Sequence, residues 1–188
     1  FAGAAAAQEG PTTVDDIIVT AQKREQSLQD VPIVVTTLSQ EALDGAGVRD
    51  IKDLQILTPG MTVTSTQSEA STTARIRGVG TVGDNPGLES SVGVVIDGVY
   101  RSRNGVGFGD LGELSRIEVL KGPQGTLFGK NTSAGVINII TEAPSFTPGF
   151  SAEATYGNFN AWGLAGSITG PITDQIAGRL YVAKRQRD

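Results

Sequence analysis

Apolar β-branched residues form two short runs in the middle of the chain, and a glycine-rich stretch separates them. The first run covers residues 117–120 and the second covers residues 136–140. Isoleucine and valine suit a pleated backbone, so both runs are predicted to be strands. The second run is apolar on both faces, which predicts a central strand. The glycines between the runs suit neither a regular strand nor a stable helix, and they predict a tight turn and a compact loop.

Upstream of these runs, the hydrophobic pattern predicts a small α/β unit over residues 31–145. The strongest hairpin signal is Asp97-Gly98, which lies between two β-prone arms. The unit is expected to contain about five or six strands and two or three short helices around one modest core. The upstream elements are predicted as strands at residues 31–38, 61–66 and 73–78, as the hairpin at residues 92–100, and as two helices, one at residues 40–46 and one that Asp50 caps and that ends at residue 57.

After Pro144 the pattern changes to an alternation of apolar and polar residues. Residues 149–156, residues 160–168 and a third stretch from Ile176 each place apolar side chains on one face. Residues 170–174 (GPITD) predict the turn before the third strand. Strands with one apolar face and aromatic residues near their ends are typical of a transmembrane β-barrel wall, although a soluble antiparallel sheet has the same alternation.

The amino-acid composition excludes the commonest kinds of catalytic and metal-binding site. The 188 residues carry a net charge of −5 and include 25 glycines, but no cysteine or histidine. We therefore predict no catalytic residue, no metal site and no cofactor. The acidic charge also argues against a nucleic-acid partner, and no run approaches the ~18 consecutive apolar residues of a transmembrane helix. Residues 78–83 spell G-x-G-x-x-G, but Asp-Asn-Pro-Gly follows and forbids the helix that a dinucleotide site needs.

The beginning of the chain predicts an extracytoplasmic protein. Residues 1–7 (FAGAAAA) fit the small-residue end of a secretory signal peptide, of which they are predicted to be a remnant. Residues 8–30 are linker-like except for a β-prone run at residues 17–21. This run is called segment 17–21. A run this short cannot fold alone, and it suits addition to the sheet edge of another protein through main-chain hydrogen bonds. The alternative interpretation is an edge strand of the following domain.

Residues 116–141 read RIEVLKGPQGTLFGKNTSAGVINIIT. This stretch closely resembles the end of the plug domain of TonB-dependent outer-membrane receptors, where R-I-E-V-L-(R/K)-G-P is followed by a short turn, L-(Y/F)-G and G-(G/V)-(V/I)-I-N-I-x-T. The resemblance implies an α/β (α+β) plug with a mixed, mainly antiparallel sheet, followed by the first antiparallel strands of a longer transmembrane β-barrel. The implied divisions are residues 1–7 (signal remnant), 8–30 (TonB box and linker), 31–145 (plug) and 146–188 (first barrel strands).

The same resemblance implies which residues carry function. Segment 17–21 looks like the TonB box, which binds the periplasmic energy transducer TonB. The resemblance implies that Arg77 and Lys121 pair with glutamates of the barrel wall, and that the loops at residues 80–91 and 101–109 contribute to the substrate site. The implied TonB-binding residues are Ile17, Ile18, Val19, Thr20 and Ala21, and the implied substrate contacts are Tyr100, Arg101, Arg103 and Phe108.

The implied activity is energised import of a scarce small molecule through the Gram-negative outer membrane, with the N-terminus in the periplasm. Ferric siderophores are the commonest cargo of the family, so an iron chelate is the first expectation. The implied partners are TonB, the rest of the barrel and the outer membrane, with no nucleic acid. The alternative is a soluble periplasmic β-rich binding module with no transport role, and a third interpretation is a receptor that also signals.

Overall fold

The computed structural model describes residues 17–186 except residues 22, 25, 66–71, 82–87, 102–103 and 106–110. A single 3-10 turn, Leu28–Asp30, follows the second strand of this described part. The strands are β1 (Ile18–Val19), β2 (Gln26–Ser27), β3 (Val34–Ser39), β4 (Met61–Ser65), β5 (Thr72–Ile76), β6 (Val92–Ile96), β7 (Val99–Arg101), β8 (Leu114–Lys121), β9 (Gly135–Thr141), β10 (Gly149–Tyr156), β11 (Trp162–Thr173) and β12 (Ile176–Gln186), and the α-helices are α1 (Gln40–Gly45), α2 (Leu54–Leu57) and α3 (Gly125–Phe128).

The central sheet is mixed and has the strand order β3-β8-β9-β6-β7. Strand β9 lies in the middle, antiparallel to β8 and parallel to β6. Val136, Ile137 and Ile139 are fully buried, which confirms the predicted central strand. Strands β6 and β7 meet at Asp97 and Gly98, whose φ angles of 47° and 81° fit the predicted two-residue hairpin turn. The α/β fold with a mixed, mainly antiparallel sheet is therefore confirmed.

Each face of the central sheet is covered by a different layer. One face packs against α1, α2 and the β4–β5 hairpin, and the buried side chains on this side include Leu43, Leu54 and Ile76. The opposite face is covered by the N-terminal residues and by α3. Both faces must be covered because the central strands are apolar on both sides. The second layer consists of Val19, Ala21, Val31, Val95, Leu120 and Val136, with Leu28, Ile33, Val35 and Phe128 packed against them.

Two helices differ from the sequence prediction. The helix predicted to follow an Asp50 cap is regular only over Leu54–Leu57. The Asp50 carboxylate does accept bonds from the N–H groups of Lys52 and Asp53, at 2.6 and 3.3 Å, as a capping residue does, but residues 51–53 form a turn before the helix. The glycine-rich loop contains α3, so the prediction that it holds no helix is wrong. Packing of Phe128 against the second layer stabilises this single turn, which local propensity alone does not favour.

Strands β10, β11 and β12 form a separate antiparallel sheet. The turn predicted at residues 170–174 is wrong: β11 continues to Thr173, and the turn falls at residues 174–175. Pro171 is accommodated because the register between β11 and β12 shifts there. No helix within the described ranges is long and apolar enough to cross a membrane.

Candidate functional site

Segment 17–21 lies on the face of the central sheet and does not extend that sheet. Strand β1 pairs with β2, with Ile18 opposite Ser27 and Val19 opposite Gln26. Val19 and Ala21 are fully buried, whereas Ile18 is 43% exposed. Val19 and Ala21 therefore point into the second layer of the core, whereas Ile18, the neighbour of Val19, points away from it, as expected for an extended strand.

The segment is also held by a buried carboxylate. Glu118 of β8 has no exposed surface. Its Oε1 accepts bonds from the Thr20 backbone N–H and the Arg116 Nε, both at 2.8 Å. The Thr20 hydroxyl lies 3.1 and 3.2 Å from the two carboxylate oxygens, and Asn138 Nδ2 donates to Oε2 at 3.2 Å. These four residues form the Glu118 cluster, in which a buried charge has the hydrogen-bonding partners it requires.

Sequence reasoning did not single out Glu118 or Asn138 as partners of the segment. Each is a polar residue inside one of the two apolar runs, and the antiparallel register of β8 and β9 places them directly opposite each other. A carboxylate in a run predicted to be buried is the signal that could have identified the site, since it needs a partner. No local pattern indicates that this partner is Thr20, 98 residues earlier in the chain.

Arg77 and Lys121 lie close together at one end of the plug. Arg77 follows β5 with a φ angle of 54°, and its backbone N–H donates to Gly60 O at 2.7 Å. Lys121 Nζ donates to Pro59 O at 3.0 Å. Burial lowers the pKa of Lys121, and the nearby positive charge of Arg77 lowers it further. Within the described ranges neither side chain forms an ion pair. Arg77 and Lys121, the cation pair, therefore have no carboxylate partner in this part of the chain.

Only part of the predicted substrate site lies in the described structure. Tyr100 is on β7, and its hydroxyl accepts a bond from Asn131 Nδ2 at 3.1 Å. The same amide donates to Glu89 at 2.8 Å, and Lys130 pairs with Glu89 at 2.6 Å. The bonds from Lys130 and then Asn131 lower the pKa of Glu89.

Arg101 is exposed at the end of β7. Arg103 and Phe108, the other two predicted substrate contacts, lie outside the described residues.

A second polar cluster joins the plug to the three-stranded sheet. Glu113 forms an ion pair with Arg179 and accepts a hydrogen bond from Ser151. Ser167 Oγ also donates to Glu113, at 2.9 Å. The alternation along β10, β11 and β12 places Ser151, Ser167 and Arg179 on the polar face, but no local sequence pattern indicates that Glu113 is their partner. This Glu113 cluster fixes the polar face of the strands toward the plug.

The other face of these strands is exposed and apolar. Leu164, Ile168, Leu180 and Val182 are 58%, 60%, 62% and 64% exposed. Large apolar side chains in adjacent register positions make a contiguous surface of a kind that soluble monomers rarely expose. The arrangement suits contact with hydrocarbon on this face and with the plug on the other.

The described residues include no gathering of three or more acidic side chains that could hold a metal ion.

Comparisons with known proteins agree with this architecture. The TonB-dependent Receptor Plug Domain family matches residues 27–136. The pesticin receptor of Yersinia pestis is 32% identical over 192 residues, which cover 100% of this chain and 27% of the receptor. The iron-regulated outer membrane virulence protein of Vibrio cholerae is 30% identical over 206 residues, covering 100% of this chain and 30% of that protein. The solved structure of the ferric yersiniabactin uptake receptor of Yersinia pestis has a TM-score of 0.73 and 29% identity, over 80% of this chain and 24% of the receptor.

A small α/β plug, fixed by polar contacts to strands with an apolar outer face, defines a class of outer-membrane receptor. The chain belongs to the TonB-dependent receptor family, through its plug domain. The chain spans less than a third of the length of these relatives. The alternative of a soluble periplasmic binding module is not favoured, because the relatives are outer-membrane receptors and the outer face of the strands is apolar.

Proposed function

We propose that the whole protein imports a scarce ligand across the outer membrane, with residues 31–145 as the plug that gates the barrel. The observation that carries the proposal is the position of segment 17–21. Among the described residues, strand β1 of this segment pairs with β2 and packs on the sheet face, so the segment can leave without breaking the ladder of the central sheet. Such a segment can transmit a pull from outside the domain. The work comes from TonB, and the chain performs no covalent chemistry.

The TonB-binding residues are Ile17, Ile18, Val19, Thr20 and Ala21. An extended peptide can add to the sheet edge of a partner, where main-chain hydrogen bonds supply affinity and alternate side chains supply selectivity. Ile17 and Ile18 are 51% and 43% exposed, so a partner can contact these side chains first. Val19 and Ala21 become available only when the segment leaves the plug.

The cation pair supports a contact between the plug and the rest of the barrel. Arg77 and Lys121 share one end of the plug, and the positive charge of Arg77 disfavours the charged form of Lys121. A glutamate on the barrel wall would relieve this repulsion. Lysine offers a point charge where arginine would offer a two-pronged donor, so the contact at Lys121 is less directional.

The ligand is expected to be a ferric siderophore. Among the relatives, one is named for pesticin, one is iron-regulated and one takes up ferric yersiniabactin. Tyr100, Arg101, Arg103 and Phe108 are the proposed contacts from the plug. Arg101 follows Tyr100 in the chain and is exposed at the end of β7, and its guanidinium can attract an anionic chelate.

The test is Ile18→Pro in the full-length receptor. Proline removes the backbone N–H of residue 18 and cannot donate in a β ladder, so pairing with TonB should fail. In a deletion strain grown on chelated iron, the unaltered gene should restore growth and Ile18→Pro should not. Ile18→Ala keeps the N–H and is the matched control, with growth largely restored.

The outcomes of this test separate the function from the substrate. Equal growth with Ile18→Pro and the unaltered gene would contradict TonB-dependent import through this segment. If the deletion strain has no defect under iron limitation but loses growth on another nutrient, the ferric siderophore is the wrong ligand and the importer stands. Binding of the ligand to Ile18→Pro should be retained, because residue 18 is not one of the proposed ligand contacts.

A further inference from the structure

The exposed apolar face of β10, β11 and β12 carries one charged residue within the described strands. Lys184 lies directly opposite Leu164, and cross-strand partners point to the same side of a sheet. Lys184 therefore shares the outward face with the exposed apolar side chains. The other outward positions are uncharged, and they are the even-numbered residues of 150–156, 162–170 and 178–186. A lone cation on a face that contacts hydrocarbon needs a physical explanation, because a charge there is costly.

Lys184 lies near one edge of the apolar face. The outward side chains of β11 run from Trp162 to Ile172, which corresponds to ~33 Å along the strand and to ~24 Å of height for a strand tilted by ~45°. This height matches the apolar band of about 25 Å in outer-membrane barrels, whose two edges carry aromatic residues. Trp162, with Tyr156 opposite it, therefore lies at the boundary between hydrocarbon and lipid headgroups.

The Lys184 side chain reaches toward this boundary. Its backbone is in register with Leu164, two residues inside the band, but its ammonium lies over the Trp162 ring, 5.6 Å from the ring centroid. A lysine stem can follow an apolar surface while its ammonium stays at the polar level. The ring attracts the ammonium but carries no charge. Within the described ranges Lys184 forms no ion pair, so the ammonium can accept an anionic partner from the membrane.

The lengths of the two connections indicate which leaflet this end of the strands meets. Residues 157–161 join β10 to β11, whereas only residues 174–175 join β11 to β12. Outer-membrane barrels have short turns at the periplasmic end and longer loops at the extracellular end. Trp162 begins β11 directly after the longer connection, so this end faces the outer leaflet. That leaflet consists mainly of lipopolysaccharide, whose membrane anchor is the phosphorylated glycolipid lipid A.

We propose that Lys184 and Trp162 form a binding site for a phosphate group of lipid A on the outer face of the barrel. The ammonium donates charge-assisted hydrogen bonds to the phosphate, and the indole ring holds the ammonium at the headgroup level. Tyr156 is 87% exposed in the same row as Trp162 and offers its hydroxyl to the same headgroup. This site concerns the contact between receptor and membrane, and it does not depend on which ligand the receptor imports.

Photo-cross-linking at position 156 tests the site. Tyr156→p-benzoylphenylalanine keeps an aromatic ring beside Trp162 and reacts with the molecule that lies next to it. The purified full-length receptor is reconstituted into phosphatidylcholine vesicles with a minor fraction of lipid A, and the lipid adducts are identified by mass spectrometry. Lipid A should be enriched among the adducts about fivefold or more over its share of the vesicle, as expected for one charge-assisted hydrogen bond. Lys184→Gln should abolish the enrichment, and Lys184→Arg should retain it.

Two controls separate this site from general contact with lipid. Phe150→p-benzoylphenylalanine places the same probe in the middle of the apolar face, opposite Ile168, where the adducts should follow the composition of the vesicle in every background. Lys52→Gln removes a lysine of the plug that pairs with Asp50 at 3.2 Å, and it should leave the enrichment at position 156 unchanged.

Several results would overturn the site. One is equal enrichment of lipid A in Lys184→Gln and in the receptor with Lys184, which would also be found if a carboxylate of a neighbouring strand held this lysine. Another is equal enrichment of lipid A and dephosphorylated lipid A, a comparison that needs no change at position 184. Stronger enrichment of phosphatidylglycerol than of lipid A, in vesicles that contain one or the other, would contradict the assignment to the outer leaflet.

Discussion

At the scale of single residues, Gly135 is the position where the backbone leaves least room for a side chain. It begins β9 with a φ angle of +153°. A Cβ atom there would lie 2.3 Å from the Leu120 carbonyl oxygen and 2.7 Å from Ile76 Cδ1. The central strands can pair closely at this point only because residue 135 is glycine.

Gly135→Ala should destabilise the receptor by about 2 kcal/mol, because the new methyl group forces the β8 backbone to move and strains an unfavourable φ. Thermal unfolding of the purified full-length protein would measure this loss. Gly45→Ala is the matched control, since no atom lies within 4 Å of the new Cβ in that helix. It should be neutral or stabilising by up to about 1 kcal/mol. Equal unfolding temperatures for the two variants would contradict the account of Gly135.

The sequence predicts the roles of some single residues but not the partners of others. Arg77 and Lys121 belong to local motifs, so their implied roles could be stated before the structure was known. Glu113 and Glu118 acquire their partners only through folding, because Arg179 and Thr20 are 66 and 98 residues away along the chain. Local sequence patterns predict which positions are buried and whether a segment has the period of a helix or a strand. They do not predict which residue pairs with a buried charge.

At the scale of elements, β10, β11 and β12 have two chemically different faces. One face contacts the plug through the Glu113 cluster, and the other exposes a continuous apolar surface. The period-two pattern of the sequence predicts this division, because successive side chains of a strand point to opposite sides. The strand ends were less predictable: Pro171 is a turn signal in sequence, but a register shift lets β11 continue past it.

Ile168→Lys should reduce the amount of receptor assembled in the outer membrane. A lysine on the lipid face costs about 2–4 kcal/mol near the middle of a bilayer. Heat-modifiable mobility of the receptor in membrane fractions would report assembly. Ala165→Lys, on the opposite face of the same strand, is the control. Residue 165 lies opposite Glu153, which can pair with the new charge. Similar assembly of the two variants would show that the exposed apolar face does not contact lipid.

At the scale of the whole molecule, the domain consists of a continuous five-stranded central sheet and an N-terminal layer that is not part of this sheet. The central ladder joins β3, β8, β9, β6 and β7. In the described part of the chain, segment 17–21 is held outside this ladder by its pairing with β2, by side-chain packing and by the bonds of Thr20. The sequence predicted the plug and the β-prone segment separately. The sequence could not predict that segment 17–21 packs on the central sheet, because that contact depends on the packing of residues far apart in the chain.

The most direct test of the account is the affinity of the purified full-length receptor for the periplasmic domain of TonB. Unaltered receptor and Ile18→Ala should bind, and Ile18→Pro should bind at least about tenfold more weakly, as expected for the loss of one or two main-chain hydrogen bonds. Equal affinity for Ile18→Pro and the unaltered receptor would contradict the assignment of segment 17–21 as the site that TonB engages.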